Sequence, residues 1–240
     1  MKGVVLAGGR ATRLLPLTKF TNKHLLPVGR EPMLYHALHK LRGAGIEKIL
    51  VITGTDHMGD VVRQLGSGKQ FGCSLSYRVQ EKPTGTAAAL RLAEDFVGAD
   101  RFVVLLGDNI FEDALGPMLR AWLQSGKGAR VHLKPVPDPG RYGVATLRDD
   151  RLEELEEKPE RPTSNLAVSG IYFYDAWAFQ AAADLRPSGR DEFEITDLNR
   201  AYLDRGELDH GILEGWWTDA GTFESLHLAN SLVRMRPARF

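Results

Sequence analysis

The sequence predicts an α/β fold, a single domain built on a mixed, mainly parallel central sheet flanked by helices. Three observations carry that prediction. Short apolar, β-branched runs alternate with segments of helical period through the first half of the chain. The length of 240 residues suits one large domain. Hydrophobic residues at 43% and charged residues at 26% match the globular average, so the chain can bury a sizeable core.

Strands are expected over residues 3–6, 48–53, 75–80 and 102–106. Between the first two, Leu34, Leu38 and Leu41 recur at helical spacing before Gly43 and Gly45. Val61, Val62 and Leu65 make a shorter apolar face, and residues 87–96 read as one alanine-rich helix. The pattern changes across 117–128, after which 131–136, 142–147 and 168–174 are strand-like and polar turns separate them. Helices are expected around 176–185, over 195–205 and over 223–235, the last with Phe223, Leu226, Ala229 and Val233 on one side. No linker or repeat interrupts this order.

Composition excludes several classes. Lys+Arg and Asp+Glu both number 31, so the charge excess of a protein that grips a nucleic-acid backbone is missing and no nucleic-acid partner is expected. Cys73 is the only cysteine, which leaves no disulfide framework and points to a reducing compartment, the cytoplasm. The apolar runs fall far short of the roughly 18 residues of a membrane span, and the N-terminus breaks into glycines too early for a signal peptide. The seven histidines form no metal-ligand spacing.

The first strand leads directly into Leu6-Ala7-Gly8-Gly9-Arg10-Ala11-Thr12-Arg13-Leu14. Adjacent glycines let backbone N–H groups approach an anion, and Arg13 adds a forked cation. An ordinary strand exit with a surface arginine fits these residues equally well. Neither G-x-G-x-x-G nor G-x-x-x-x-G-K-[ST] occurs. Asp108 follows the apolar run 103–106, where open α/β sheets place ligands and a carboxylate suits Mg²⁺; an Asx turn with Asn109 is the plainer alternative. Asp219, beside Trp217, falls near a helix N-cap at Asp219-Ala220-Gly221-Thr222. Gln80 offers both donors and an acceptor to a base edge, or simply ends a strand.

Asn22-Lys23-His24-Leu25-Leu26-Pro27 follows the glycine-rich turn. The pair L-A-G-G-x-x-T-R-L and K-x-L-L-P resembles the signature of sugar-1-phosphate nucleotidyltransferases, nearest among them the bacterial glucose-1-phosphate thymidylyltransferases. The likeness continues in family order through Tyr77-Arg78-Val79-Gln80, Leu106-Gly107-Asp108-Asn109-Ile110-Phe111, Arg141-Tyr142-Gly143-Val144, Leu155-Glu156-Glu157-Lys158-Pro159, residues 168–174, Glu194-Ile195-Thr196-Asp197 and residues 217–222. It covers nearly the whole chain.

That resemblance implies a Rossmann-like nucleotidyltransferase fold. It also implies Mg²⁺-dependent transfer from dTTP to α-D-glucose-1-phosphate, giving dTDP-glucose and pyrophosphate, by a homotetramer. Residues 1–110 are then expected to bind the nucleotide, and residues 111–240 the sugar and the neighbouring subunits. The resemblance assigns Gly8, Gly9, Ala11 and Thr12 to a phosphate cradle, Arg13 to the leaving pyrophosphate and Lys23 to the triphosphate. Leu6, His24, Gln80 and Gly85 fall on its nucleotide side. Glu157 is implied to accept from sugar hydroxyls and Lys158 to hold the sugar phosphate. Asn109, Tyr142, Gly143, Val168, Arg190 and Trp217 fall on the sugar side, and Asp108 and Asp219 at the metal.

Three departures temper the likeness. Ala11 stands where the family usually has a second glycine, a substitution costing roughly 1–2 kcal/mol if the turn is left-handed there. Gly85-Thr86-Ala87 lacks the Leu/Ile-Ala-Gln pattern usual among thymidylyltransferases, which keeps UTP or another hexose phosphate as rival substrates. Phe240 comes soon after the last helix, whereas longer members continue into an extension that helps form an effector site, so end-product inhibition is expected to be weak. A noncatalytic nucleotide-sugar sensor is the rival of another class; retention of Arg13, Lys23, Asp108 and Asp219 argues against it.

Overall fold

A computed structural model describes residues 1–9 and 11–240; Arg10 of the glycine-rich turn lies outside them. The strands are β1 (Lys2–Ala7), β2 (Pro27–Val28), β3 (Glu31–Pro32), β4 (Lys48–Gly54), β5 (Ser74–Gln80), β6 (Phe102–Leu106), β7 (Asn109–Phe111), β8 (Ala129–Pro135), β9 (Gly143–Arg148), β10 (Arg151–Glu157), β11 (Leu166–Tyr174), β12 (Leu208–Ile212) and β13 (Trp217–Asp219). The helices are α1 (Met33–Gly43), α2 (Met58–Leu65), α3 (Thr86–Arg91), α4 (Glu94–Val97), α5 (Leu115–Ser125), α6 (Trp177–Asp184), α7 (Ile195–Asp204) and α8 (Phe223–Met235).

Seven strands run in the order β10-β9-β11-β6-β1-β4-β5, with β8 joining β11 to β12. Parallel pairing holds from β5 through β4 and β1 to β6, as crossover helices require. The antiparallel part is organised by β11, which pairs with β6, β8 and β9. Successive residues of β1 serve opposite faces. Val4 and Leu6 join a core with Leu90, Phe179 and Leu198, whereas Val5 and Ala7 join one with Leu34, Leu38 and Trp122. Burial on both faces explains why β1, β4 and β6 read as continuous apolar runs.

Two expectations about helices are corrected. The alanine-rich segment is two helices, because Leu92 and Ala93 donate to carbonyls only three residues back, Ala89 and Leu90, and tighten the chain between them. The change of pattern at Pro117 conceals α5. Pro117 lies in that helix's first turn, where a missing N–H costs nothing.

Two short elements shape the site. β7 and β13 form a separate antiparallel ribbon of three residue pairs, Asn109 opposite Asp219 and Phe111 opposite Trp217. The register between β11 and β8 shifts between Val168 and Tyr172. Such a bulge bends a strand and re-aims its residues. Here it presents the Gly170 N–H to Asn109 Oδ1 at 2.7 Å.

Candidate active site

The carboxyl ends of β1, β5 and β6 open into a cavity of about 220 Å³ bounded by Leu6, Gly8, Gly9, Lys23, His24, Gln80, Gly85 and Asp108. A second, of about 320 Å³, is bounded by Arg13, Asn109, Tyr142, Gly143, Glu157, Lys158, Val168, Trp217 and Asp219. Thr86, Leu106, Asp108 and Glu192 belong to both walls. The two spaces therefore form one trough joined at these four residues.

Positive backbone angles build its first side. Gly9 has φ +98° and Ala11 φ +48°, so the turn is left-handed at the alanine. Gly8 approaches closely, since a Cβ there would lie 3.3 Å from Gln80 Oε1, while Gln80 Nε2 donates to the Gly85 carbonyl at 3.2 Å. Gly85 has φ +111°, and any Cβ would strike the Phe193 backbone at 2.4 Å. Asn22 caps the short turn Lys23–Leu25 by accepting from His24 N. That turn sends the Lys23 ammonium to Asp108 Oδ2, 2.6 Å away. Ala11 also borders a third cavity of about 340 Å³ beside Lys23, with Asp56 and His57; Thr12 lies in the following turn, its carbonyl accepting from Leu15 N.

Electrostatics distinguish the two aspartates. Burial alone raises the Asp108 carboxyl, but the charge of Lys23 and its hydrogen bond, with a further pull from His24 and a hydrogen bond from Asn109, hold it well below the usual carboxylate range. Asp219 is pushed upward, first by burial and then by the negative charge of Asp108, against the opposing pull of Tyr142, Arg141 and Arg13. Tyr142 donates its hydroxyl to Asp219 Oδ1 at 2.9 Å, and burial together with that carboxylate raises the phenol. Two half-buried carboxylates thus share a site that gains from added positive charge. Burial, reinforced by the Lys23 charge, lowers His24 to about 3; the ring is neutral and its Nδ1 meets Asn22 Oδ1 at 2.8 Å.

On the second side Glu157 is held from two directions. Its Oε1 meets Arg190 at 2.9 Å and Lys158 at 3.4 Å, and its Oε2 accepts the Thr196 hydroxyl. Lys158 adopts φ +46°, a strained conformation for a lysine of the kind that clusters at functional sites. Asn109 Oδ1 accepts from both Gly170 N and Trp217 Nε1, which ties β7 to β11 and to β13.

The family model for nucleotidyl transferases matches residues 2–235. The chain belongs to the nucleotidyl transferase family. A glucose-1-phosphate thymidylyltransferase of Neisseria meningitidis is 46% identical over 238 residues, spanning 98% of this chain and 83% of its own. A crystal structure of a Bacillus anthracis protein, provisionally named glucose-1-phosphate thymidylyltransferase and bound to sucrose, superimposes with a TM-score of 0.95 at 54% identity, covering 100% of this chain and 97% of its own. A UDP-glucose pyrophosphorylase in complex with UDP-glucose superimposes with a TM-score of 0.85 at 25% identity, over 98% of both chains.

Among the nucleotidyl transferase residues read from sequence, Arg13 lies on the second side of the trough, next to Gly221 and Asp219. Arg190 stands behind the wall, its guanidinium shared between Glu157 and Glu194. Thr86, Arg141, Tyr172, Glu192, Glu194 and Thr196 line the trough without having been singled out. Thr196 and Glu194 sit in a motif that carried the resemblance, so position within it was the available signal. Thr86 stands in the Gly85-Thr86-Ala87 segment already set against the family pattern, whereas Glu192 had no signal, because loops distant in sequence bring it to Thr86: Phe193 N donates to the Thr84 carbonyl and Ala87 N to that of Phe193.

Proposed function

We propose that the chain transfers the thymidylyl group of dTTP to glucose-1-phosphate, giving dTDP-glucose and pyrophosphate. The observation that carries this reading is the position of Asp108 at the junction of two cavities, with Lys23 on one side and Glu157 and Lys158 on the other. A phosphate oxygen of the sugar attacks the α-phosphorus, the bond from that phosphorus to the bridging oxygen breaks, and pyrophosphate leaves with the electron pair. Such a transfer needs in-line placement and charge neutralisation more than a covalent nucleophile.

In this reading Gly8, Gly9, Ala11 and Thr12 turn backbone donors toward the triphosphate and Lys23 neutralises it. Leu6, His24, Gln80 and Gly85 frame the base, Gln80 presenting its amide edge. Asn109, Tyr142, Gly143, Val168 and Trp217 enclose the sugar. Glu157, steadied by Arg190, accepts from its hydroxyls, and Lys158 orients its phosphate. Arg13 screens the phosphates where the halves meet. Residues 1–110 then supply most of the nucleotide side and residues 111–240 most of the sugar side.

Asp108 and Asp219 suit Mg²⁺, which takes one or two carboxylates and fills its remaining positions with phosphate oxygens and water; Asp219, pushed upward first by burial and then by the charge of Asp108, belongs to a pair that a cation would relieve. Bound there, the ion would neutralise charge at the transferred phosphate. The homotetramer that the family resemblance implies has apolar surface to use on α8, where Phe223, Leu228 and Met235 are exposed; light scattering of the purified protein measures that state.

The deciding experiment is pyrophosphate release over a grid of nucleoside triphosphates and sugar-1-phosphates, with Mg²⁺ and with chelator. Metal-dependent turnover highest for dTTP with glucose-1-phosphate is expected. A maximum at UTP would correct the base preference, and binding without turnover for every pair would establish a sensor.

A further inference from the structure

The β7–β13 ribbon carries Asn109, Trp217 and Asp219, yet it has only three residue pairs, and a two-stranded ribbon of that size is marginal by itself. Its site end is fastened by Asn109 and by the Ala220 N–H, which donates to the Asp108 carbonyl at 2.8 Å. The far end is fastened by two lysines that approach from different elements. Lys40, on α1, is 1% exposed. Its ammonium donates to the carbonyls of Glu112 at 3.0 Å and Asp113 at 2.6 Å, just beyond β7, and to that of Arg239 at 2.5 Å. Lys134, on β8, donates to the carbonyls of Leu213 at 3.0 Å, Glu214 at 3.4 Å and Gly215 at 2.6 Å, just before β13.

An ammonium has three donors, and each of these finds three main-chain acceptors with no carboxylate among them. The two gripped segments are also bound to each other. Glu112 N donates to the Trp216 carbonyl at 2.9 Å, and Gly215 N donates to the Asp113 carboxylate at 2.9 Å. Burying a lysine is costly unless every donor is satisfied, so a buried lysine devoted to backbone carbonyls fixes a chain path. Neither lysine borders the trough.

We propose that Lys40 and Lys134 are positioning residues of the active site, pinning the far end of the ribbon to α1 and β8 so that Asp219 keeps its place opposite Asn109, where it faces the charge of Asp108. The inference rests on the proposed transfer for its kinetic consequence, but not for its structural one. Removing a pin frees the ribbon to pivot about Asn109, which moves Asp219 and leaves the nucleotide side intact.

The test compares Lys40→Met, Lys134→Met and Lys134→Arg with the parent protein by amide hydrogen exchange, by Mn²⁺ binding in the absence of substrates, and by kinetics. For either methionine variant, exchange over residues 216–219 is expected to quicken at least about tenfold while β1 is unchanged. Mn²⁺ affinity is expected to fall roughly fivefold to tenfold, and kcat about tenfold, with KM for dTTP within about twofold of the parent. Lys134→Arg, which keeps the donors, restores the parent values. Uniformly faster exchange through β1 and β13, or parent-like Mn²⁺ affinity and kcat in Lys134→Met, would overturn the proposal in favour of plain structural support. If Lys40→Met does not fold, the half-buried Lys134 pair decides alone. If the parent itself releases no pyrophosphate, the functional reading fails, and exchange and Mn²⁺ binding still judge the pins.

Discussion

The Arg13 guanidinium would lie 3.0 Å from a Cβ added to Gly221, and its charge acts on Asp219. A preorganised cation at that place is worth on the order of 3 kcal/mol in the transition state. Arg13→Ala should therefore lower kcat/KM about a hundredfold with little change in thermal stability, measured as pyrophosphate release and Tm. Ala11 gives the opposite kind of prediction. Its left-handed backbone costs about 1–2 kcal/mol, whereas glycine would add roughly 0.5–1 kcal/mol of chain entropy. The strain is the larger quantity, so Ala11→Gly should raise Tm by a few degrees; a lower Tm would show that the alanine is not strained. Two buried histidines set the acid limit. His24 and His132 are each held near 3, chiefly by burial. The unfolded chain therefore binds more protons than the folded one between about pH 3 and 6.5, and stability is lost as pH falls through that window. Urea titrations at pH 7.5 and 5 should show the midpoint falling at the lower pH. Of the residue-scale picture, the strain at Ala11 was legible from one comparison, alanine where glycine is usual. The strain at Lys158 was not, because nothing in a lysine codon announces a positive φ.

At the scale of elements, the bulged strand and the ribbon together shape the side of the trough proposed to take the sugar. Gly170 has no room for a side chain, since a Cβ would sit 2.6–2.7 Å from three atoms of the Asn109 side chain. Gly170→Ala is expected to displace Asn109, and with it Trp217, so that activity falls at least tenfold while nucleotide binding, measured by calorimetry with dTTP, stays within about twofold. Loss of dTTP binding to the same degree would mean that the two sides of the trough are not separable. The parallel strands β1, β4 and β6 were legible in sequence because burial on both faces leaves an unbroken apolar run, whereas β5, at the sheet edge, showed only alternation. β7 and β13 were not legible, because three-residue strands carry no period, and α5 was hidden because Pro117 looks like a break unless the helix start is already known.

For the whole molecule, the two cavities have only Asp108, Leu106, Thr86 and Glu192 in common among the described residues, so in the proposed reading nucleotide and sugar phosphate occupy largely separate walls. Nucleotide binding should thus stabilise the protein without any sugar present. At a concentration one hundred times its Kd, dTTP is expected to add about 2.7 kcal/mol, a rise of roughly 5–10 °C for a chain of this size, and glucose-1-phosphate should add to it. Thermal shift with each ligand alone and with both measures this directly. The pairing of Asn109 with Asp219 also has a consequence for biosynthesis. Asp108 and Lys23 leave the ribosome well before Asp219, which follows Asp108 by 111 residues. Asn109 therefore waits for its partner until every strand of the large sheet has been synthesised, since β13 follows β12 in the chain, and the ribbon is the last strand pairing the chain can complete.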